Sequence, residues 1–155
     1  MMSNKLPTIQ SVLLETLDDF KKVAKENDLT FFVDSGTLLG SIRHNGFVPH
    51  DEDIDLGVVD TDETILLSVL RKLPEKYDYC EFHSGYKVFL KKNPTIKSYN
   101  WSYPYIDIMI YHIVEEKGKQ LLRYKSGKWK SFKHTVQNMY PLRNYNFEGR
   151  MLKGP

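Results

Sequence analysis

Between residues 51 and 59 the chain reads Asp-Glu-Asp-Ile-Asp-Leu-Gly-Val-Val, with acids interleaved by apolar residues. Alternation is the period of a β-strand, whose successive side chains point to opposite faces. A strand over residues 53–59 therefore puts Asp53 and Asp55 on one face, while Ile54, Leu56 and Val58 fill the other. Two carboxylates side by side repel, and a fold tolerates them mainly when a cation sits between them. Hard oxygen donors favour Mg²⁺, with Mn²⁺ as the second choice. A solvated acidic loop has no reason to interleave Ile54 and Leu56 with its acids. An EF-hand loop opens the same way but requires Gly at its sixth position and Glu at its twelfth. Counting from Asp51, those positions hold Leu56 and Asp62, which excludes it.

The elements around this strand are legible from periodicity. Residues 8–26 carry Ile9, Leu13, Leu17, Phe20 and Ala24 at helical spacing, with Thr8 as N-cap and Asn27-Asp28 as the stop. Residues 29–33 form a short aromatic and β-branched run, expected as a buried strand. Ser35-Gly36-Thr37 breaks that run, residues 38–43 suit one or two helical turns, and Asn45-Gly46 with Pro49 marks a loop. A second helix is expected over residues 61–72, with Asp60 and Glu63 placed like a capping box. Residues 77–82 and 86–90 predict a hairpin around His-Ser-Gly. Residues 103–111 predict a strand with Ile106, Ile108 and Ile110 on one face, and Tyr105, Asp107 and Met109 on the other. Lys117-Gly118-Lys119 predicts a turn, and a basic, aromatic stretch runs on to His134.

At 155 residues the chain is expected to be one domain, long enough for a real core. A net charge of +2 is too small to argue for nucleic acid as a bulk partner. A single cysteine, Cys80, rules out an internal disulfide and suits a reducing compartment. No stretch approaches the roughly 20 apolar residues of a membrane helix, and the first residues lack a signal-peptide core. A cytoplasmic location is the expectation.

Asp107 is the other acid with chemical promise. It faces away from three Ile residues on an otherwise apolar strand, and burying one acid there is costly unless something pairs with it. The alternative is a strand-end acid facing solvent. Three carboxylates on one sheet face hold one or two divalent cations about 3.5–4 Å apart, a clamp for phosphoryl transfer in which one acid can also serve as general base. Ser35, Gly36 and Thr37 fit the other half of a phosphate site: Gly permits close backbone approach, and N–H groups at a helix start bind phosphate oxygens. Arg43 and His44 are either contacts to a donor's phosphates or plain loop residues. Lys87 is a further phosphate-neutralising candidate. Trp101, Tyr103 and Tyr105 either line an acceptor pocket or pack the core.

Together, Ser35-Gly36-Thr37-Leu38-Leu39-Gly40, Ile42-Arg43-His44, Gly46-Phe47-Val48-Pro49, Asp51-Glu52-Asp53-Ile54-Asp55-Leu56 and Tyr105-Ile106-Asp107-Ile108 closely resemble the LicD family. That family includes bacterial phosphocholine transferases and the fukutin-related ribitol-phosphate transferases. Tyr140-Pro141-Leu142, Phe147-Glu148-Gly149-Arg150 and Pro155 resemble its closing motif, so the likeness runs from about residue 29 to 155. The resemblance implies a nucleotidyltransferase-like α/β (α+β) fold, a mixed β-sheet flanked by helices. It also implies Mg²⁺-dependent transfer of a phospho-alcohol group, such as phosphocholine or ribitol phosphate, from a CDP-linked donor to a glycan or sugar hydroxyl. By position, Asp53 and Asp55 become the metal pair, Asp107 the third carboxylate, and Gly36 with Thr37 the phosphate turn. Asp51 takes a supporting place. His50 stands where the family often has Trp, a change expected to alter packing beside the acids. Relatives commonly continue past the closing motif with a helical segment, so metal and nucleotide binding are firmer expectations than acceptor chemistry. Two rival readings remain at this point. One is a nucleotide-sugar glycosyltransferase using the Asp-x-Asp pair; the other is a non-catalytic module that binds nucleotide and metal.

Overall fold

Helix α1 (Leu6–Glu26) buries the stripe that its spacing predicts, with Leu13, Leu17, Phe20 and Ala24 all but sealed from solvent. It opens two residues before the expected start, so Thr8 lies inside the helix rather than capping it. Pro7 falls in the first turn, where its missing N–H costs nothing. The stop is where expected: the Asn27 side chain donates back to Val23 O, and Asp28 turns left-handed at φ 57°. In this computed structural model, residues 6–93, 100–126 and 133–155 are described.

Among the described residues, seven strands form the main sheet: β1 (Phe32–Val33), β2 (Ile54–Val59), β3 (Tyr77–Phe82), β4 (Gly85–Leu90), β5 (Tyr105–Glu116), β6 (Lys119–Tyr124) and β7 (Lys133–Thr135). Their order is β1-β2-β5-β4-β3, with β6 pairing β5 and β7 pairing β6. Among the described residues, β2 and β5 run parallel and the other pairings of this sheet are antiparallel. This is the mixed α/β sheet with flanking helices that the sequence led us to expect. β1 is shorter than the run at residues 29–33 because the Leu29 N–H closes the end of α1 on Ala24 O, so pairing begins later. β5 runs five residues past the expected end, because its second half acquires β6 as partner across the Lys117-Gly118 turn. The basic, aromatic stretch before His134 falls partly on residues 127–132, outside the described residues.

Helix α3 (Glu63–Lys72) follows a 3₁₀ turn at Asp60–Asp62. The expected capping box does not form: neither turn nor helix has a side-chain cap, and the Glu63 carboxylate instead takes the Lys125 ammonium. Together α1 and α3 cover one face of the sheet. Their buried residues join Ile54, Leu56, Val58, Val88, Ile106, Ile108 and Ile110 in one core. A smaller cluster lies on the opposite face. It joins Phe32, Tyr111 and Leu122 to Met139 of the short helix α4 (Val136–Met139).

Helix α2 (Ser35–His44) stands beside that second face, while the hairpin β8 (Arg143–Phe147) with β9 (Arg150–Gly154) buries Phe147 and Leu152 in the first core. The residues of the closing motif turn out to be the brace. Phe147 packs edge-on against Phe47 at 4.8 Å. The Glu148 side chain accepts from Phe47 N–H, and the Glu148 N–H donates to Asn45 O, which fixes the loop leaving α2. Arg150 makes a two-pronged ion pair with Asp18 of α1. Among the described residues, no helix is long and apolar enough to cross a membrane.

Candidate functional site

Strand register assembles the site. Asp55 on β2 lies beside Asp107 on β5, and Lys87 on β4 lies beside Asp107 from the other flank. Side chains adjacent in register share a face, so these three form a row across the central strands. Asp53 stands two residues before Asp55 and so falls on the same side. One carboxylate oxygen from each of Asp53, Asp55 and Asp107 lies within 4.8 Å of the others. The opposite face of the same strands is the Ile and Val core, so the alternation read from sequence divides core from site.

Helix α2 clamps Asp55 from both ends of its peptide. The buried Thr37 hydroxyl accepts the Asp55 N–H at 2.8 Å, while Asp34 N–H donates to Asp55 O at 3.0 Å. Asp34 is also the N-cap of α2. Its carboxylate accepts from Ser35 N–H at 2.8 Å and from the buried Tyr111 hydroxyl at 2.6 Å. The strand therefore passes straight into the helix, and Ser35-Gly36-Thr37 is the helix's first turn rather than a separate loop. A Cβ on Gly36 would stand 3.2 Å from an Asp51 oxygen and 3.7 Å from an Asp55 oxygen. Gly thus brings the helix backbone against the acids, where its first N–H groups have no intrahelical acceptor. Asp51 sits at the edge of the cluster, its carboxylate against Gly36 and its charge acting on Asp53.

A family model described as LicD/FKTN/FKRP, nucleotidyltransferase domain, matches residues 28–155. The chain belongs to this family. It is 28% identical over 148 residues to an uncharacterized protein of Rickettsia prowazekii, covering 92% of this chain and 49% of that one. A second uncharacterized protein, from Rickettsia typhi, is 26% identical over 143 residues, or 92% of this chain and 41% of that one. The lipopolysaccharide cholinephosphotransferase LicD of Haemophilus influenzae is 43% identical over 47 residues, 30% of this chain and 18% of that protein. This chain thus spans about half or less of the curated relatives it matches. Among solved structures, the lincosamide antibiotic adenylyltransferase LnuA with lincomycin bound superposes with a TM-score of 0.50 at 16% identity. The match covers 93% of this chain and 78% of that one and shows a shared nucleotidyltransferase-like fold. Family and fold thus agree on a LicD-type nucleotidyltransferase domain.

The electrostatics of this LicD-family site are those of carboxylates short of positive charge. Burial, then the neighbouring Asp53, Asp107, Asp34 and Asp51, raises Asp55 to about 8. Burial and the hydrogen bond and charge of Asp51 raise Asp53 to about 6. Burial also raises Asp107, with Lys87 pulling the other way. Three crowded hard oxygen donors, each raised by burial, suit a divalent cation, and among the described residues no His or Cys joins the cluster to draw it toward softer metals.

Lys87 is not presented to a ligand. It is 3% exposed, donates to Asp107 Oδ1 at 2.6 Å, and lies over the rings of Tyr105, Phe82 and Trp101 at 3.7, 4.5 and 5.0 Å. The aromatic faces hold the ammonium in place, so its charge is committed to Asp107. Trp101 and Tyr105 therefore wall in a lysine, and the Tyr103 hydroxyl donates to Glu52. Arg43 and His44 are not brought to the acids. They are exposed in the last turn of α2, about 10 Å of helix from Gly36 at ~1.5 Å per residue. His50 is likewise exposed, in the loop before the acids.

A cleft of about 730 Å³ opens beside Asp55 and Asp107. Ser35, Leu38, Leu39 and Ile42 of α2 form one wall, Met109, Tyr124 and Met139 the other, and His83 and His134 also line it. Sequence reasoning missed Asp34, although an Asp directly before a run of small residues is an N-cap signal. It also missed the cleft's second wall, whose residues come from β5, β6 and α4, and no local pattern announces that meeting.

Proposed function

We propose that this chain is a metal-dependent phosphotransferase that moves a phospho-alcohol group, such as phosphocholine or ribitol phosphate, from a CDP-linked donor to a glycan hydroxyl. The observation that carries it is the convergence of Asp53, Asp55 and Asp107 on one face, against the first turn of α2. Asp53, Asp55 and Asp107 would hold Mg²⁺, with Mn²⁺ as substitute; a bound cation there supplies charge neutralisation for a phosphoryl group and its leaving phosphate. Gly36 lets the helix start approach that phosphate, and the N–H groups of Gly36 and Thr37 donate to its oxygens. Thr37 and Asp34 hold Asp55 at its peptide, and Lys87 holds one oxygen of Asp107, so the carboxylates are positioned before substrate arrives. The flanking cleft gives the acceptor a place beside the phosphorus with water largely displaced.

The test is product analysis with a panel of CDP-linked alcohols and sugar acceptors in Mg²⁺. We expect a phosphodiester product and stoichiometric cytidine monophosphate, both abolished by Asp53→Asn or Asp55→Asn in proteins that keep the wild-type circular dichroism. Transfer of a sugar without phosphorus, or full turnover in either variant, refutes the proposal.

A further inference from the structure

We infer that His83 is the general base of the transfer, the group that takes the proton from the acceptor's hydroxyl. The assignment rests on the phosphotransferase reading above. Asp53, Asp55 and Asp107 would each give an oxygen to the cation, which makes them poorer bases. A base outside the cluster but within the cleft is therefore better suited to take the proton of the attacking hydroxyl. The cleft is lined by two imidazoles, His83 and His134, and by the phenol of Tyr124. Tyr124 stays protonated, because burial and the charge of Asp34 raise it. Both imidazoles are exposed, but His134 lies on β7, separated from β5 by β6, whereas the turn of His83 is hydrogen-bonded directly to β5. His83 lines the same cleft as Asp55 and Asp107, on the turn between β3 and β4.

The turn carrying His83 is fixed as a base for chemistry should be. Ile110 N–H donates to Ser84 O at 2.8 Å, and the buried Ser84 hydroxyl donates to Ile110 O at 2.8 Å. That hydroxyl also accepts from Ser126 N–H, while the Ser126 hydroxyl donates to His83 O. Gly85 lets the hairpin lie flush on β5, since a Cβ there would meet Ile108 O at 1.8 Å. His83 itself adopts φ 49°, and its ring stands edge-on to Phe82 at 3.9 Å, against one of the rings that hold Lys87. The imidazole is thus tied through Phe82 to the Lys87–Asp107 pair while remaining open to the cleft.

The step balances simply. The acceptor oxygen forms a bond to the donor phosphorus as the bond from phosphorus to the cytidine monophosphate oxygen breaks. That electron pair leaves with cytidine monophosphate, and the hydroxyl proton passes to the free ring nitrogen of His83.

His83→Asn and His83→Ala test this in the whole chain; Asn keeps the left-handed turn, which Asn tolerates better than other residues. With a CDP-linked donor that the wild type turns over, we expect kcat to fall by roughly 10²–10⁴-fold in both variants. The Mg²⁺-dependent thermal shift given by the donor should stay at its wild-type size. Added imidazole should restore part of the rate in His83→Ala and none in Asp55→Asn. A kcat within threefold of wild type in His83→Asn, or loss of the donor's thermal shift in both variants, overturns the role. If the wild type turns over no donor in the panel, the phosphotransferase reading fails, and the assignment of His83 falls with it.

Discussion

Replacing Asp55 by Asn in metal-free protein should make the fold more stable while ending its activity. Asp55 is mostly buried on a face crowded with acids, and its carboxyl is raised from 3.8 to about 8. The folded state therefore holds this proton across a range where the unfolded chain has released it, and stability falls as pH rises from about 4 to about 8. Each pH unit in that window costs about 1.4 kcal/mol, or about 5 kcal/mol by pH 7.5 as an upper bound. Solvent reaches part of the carboxyl, so about 2–3 kcal/mol is the realistic gain for the neutral, nearly isosteric amide. For a chain of this size that is a rise in Tm of about 4–10 °C. Urea or thermal unfolding in a chelator, from pH 4.5 to 8, reads it directly. The two proteins should coincide near pH 4.5 and separate above it, with Asp53, raised to about 6, adding a shared slope at the acid end. Saturating Mg²⁺ should reverse the order at pH 7.5, because only the wild type keeps all three oxygen ligands. An Asp55→Asn protein no more stable than wild type at pH 8 in chelator would refute the reasoning.

Two more outcomes follow from the residues that hold the carboxylates in place. Thr37→Val strips the buried acceptor from Asp55 N–H and should cost about 1–3 kcal/mol in urea unfolding. Thr37→Ser should stay within about 1 kcal/mol of wild type, and calorimetry should find Mg²⁺ affinity weakened only by Val. Lys87→Met keeps the aliphatic stem within its aromatic walls but leaves Asp107 without its cation, at a cost of about 3–5 kcal/mol at pH 8. That loss should shrink as pH falls, because burial already raises Asp107 and protonation relieves its unpaired charge.

What could be read from the sequence was whatever a local pattern records. Alternation placed Asp53 and Asp55 opposite Ile54 and Leu56, and the same logic placed Asp107 opposite three Ile residues. The register that sets Asp55, Asp107 and Lys87 in one row could not be read, because pairing depends on strands some fifty residues apart. Lys87 was expected on a strand that could pair near Asp107, yet was read as neutralising phosphate rather than Asp107 itself. Its commitment to Asp107 needs Phe82, Trp101 and Tyr105 to close over it, which only the folded sheet arranges. Thr37 was read as part of a phosphate turn, yet its hydroxyl serves the Asp55 backbone. Arg43 and His44 follow the turn closely in sequence, but helical rise carries them away from it. The hairpin β8–β9 shows another limit: a motif familiar from relatives was visible, while its work as a brace on α1 and α2 was not.

The central claim is that Asp53, Asp55 and Asp107 bind a divalent cation and, with it, the diphosphate of a CDP-linked donor. The most direct measurement is the thermal shift of the wild type with donor alone, Mg²⁺ alone and both together, repeated for Asp53→Asn. Stabilisation by donor that requires Mg²⁺ in the wild type, and is absent from the variant, is the expected result. Donor stabilisation of equal size in chelator, or retained in Asp53→Asn, would contradict the account.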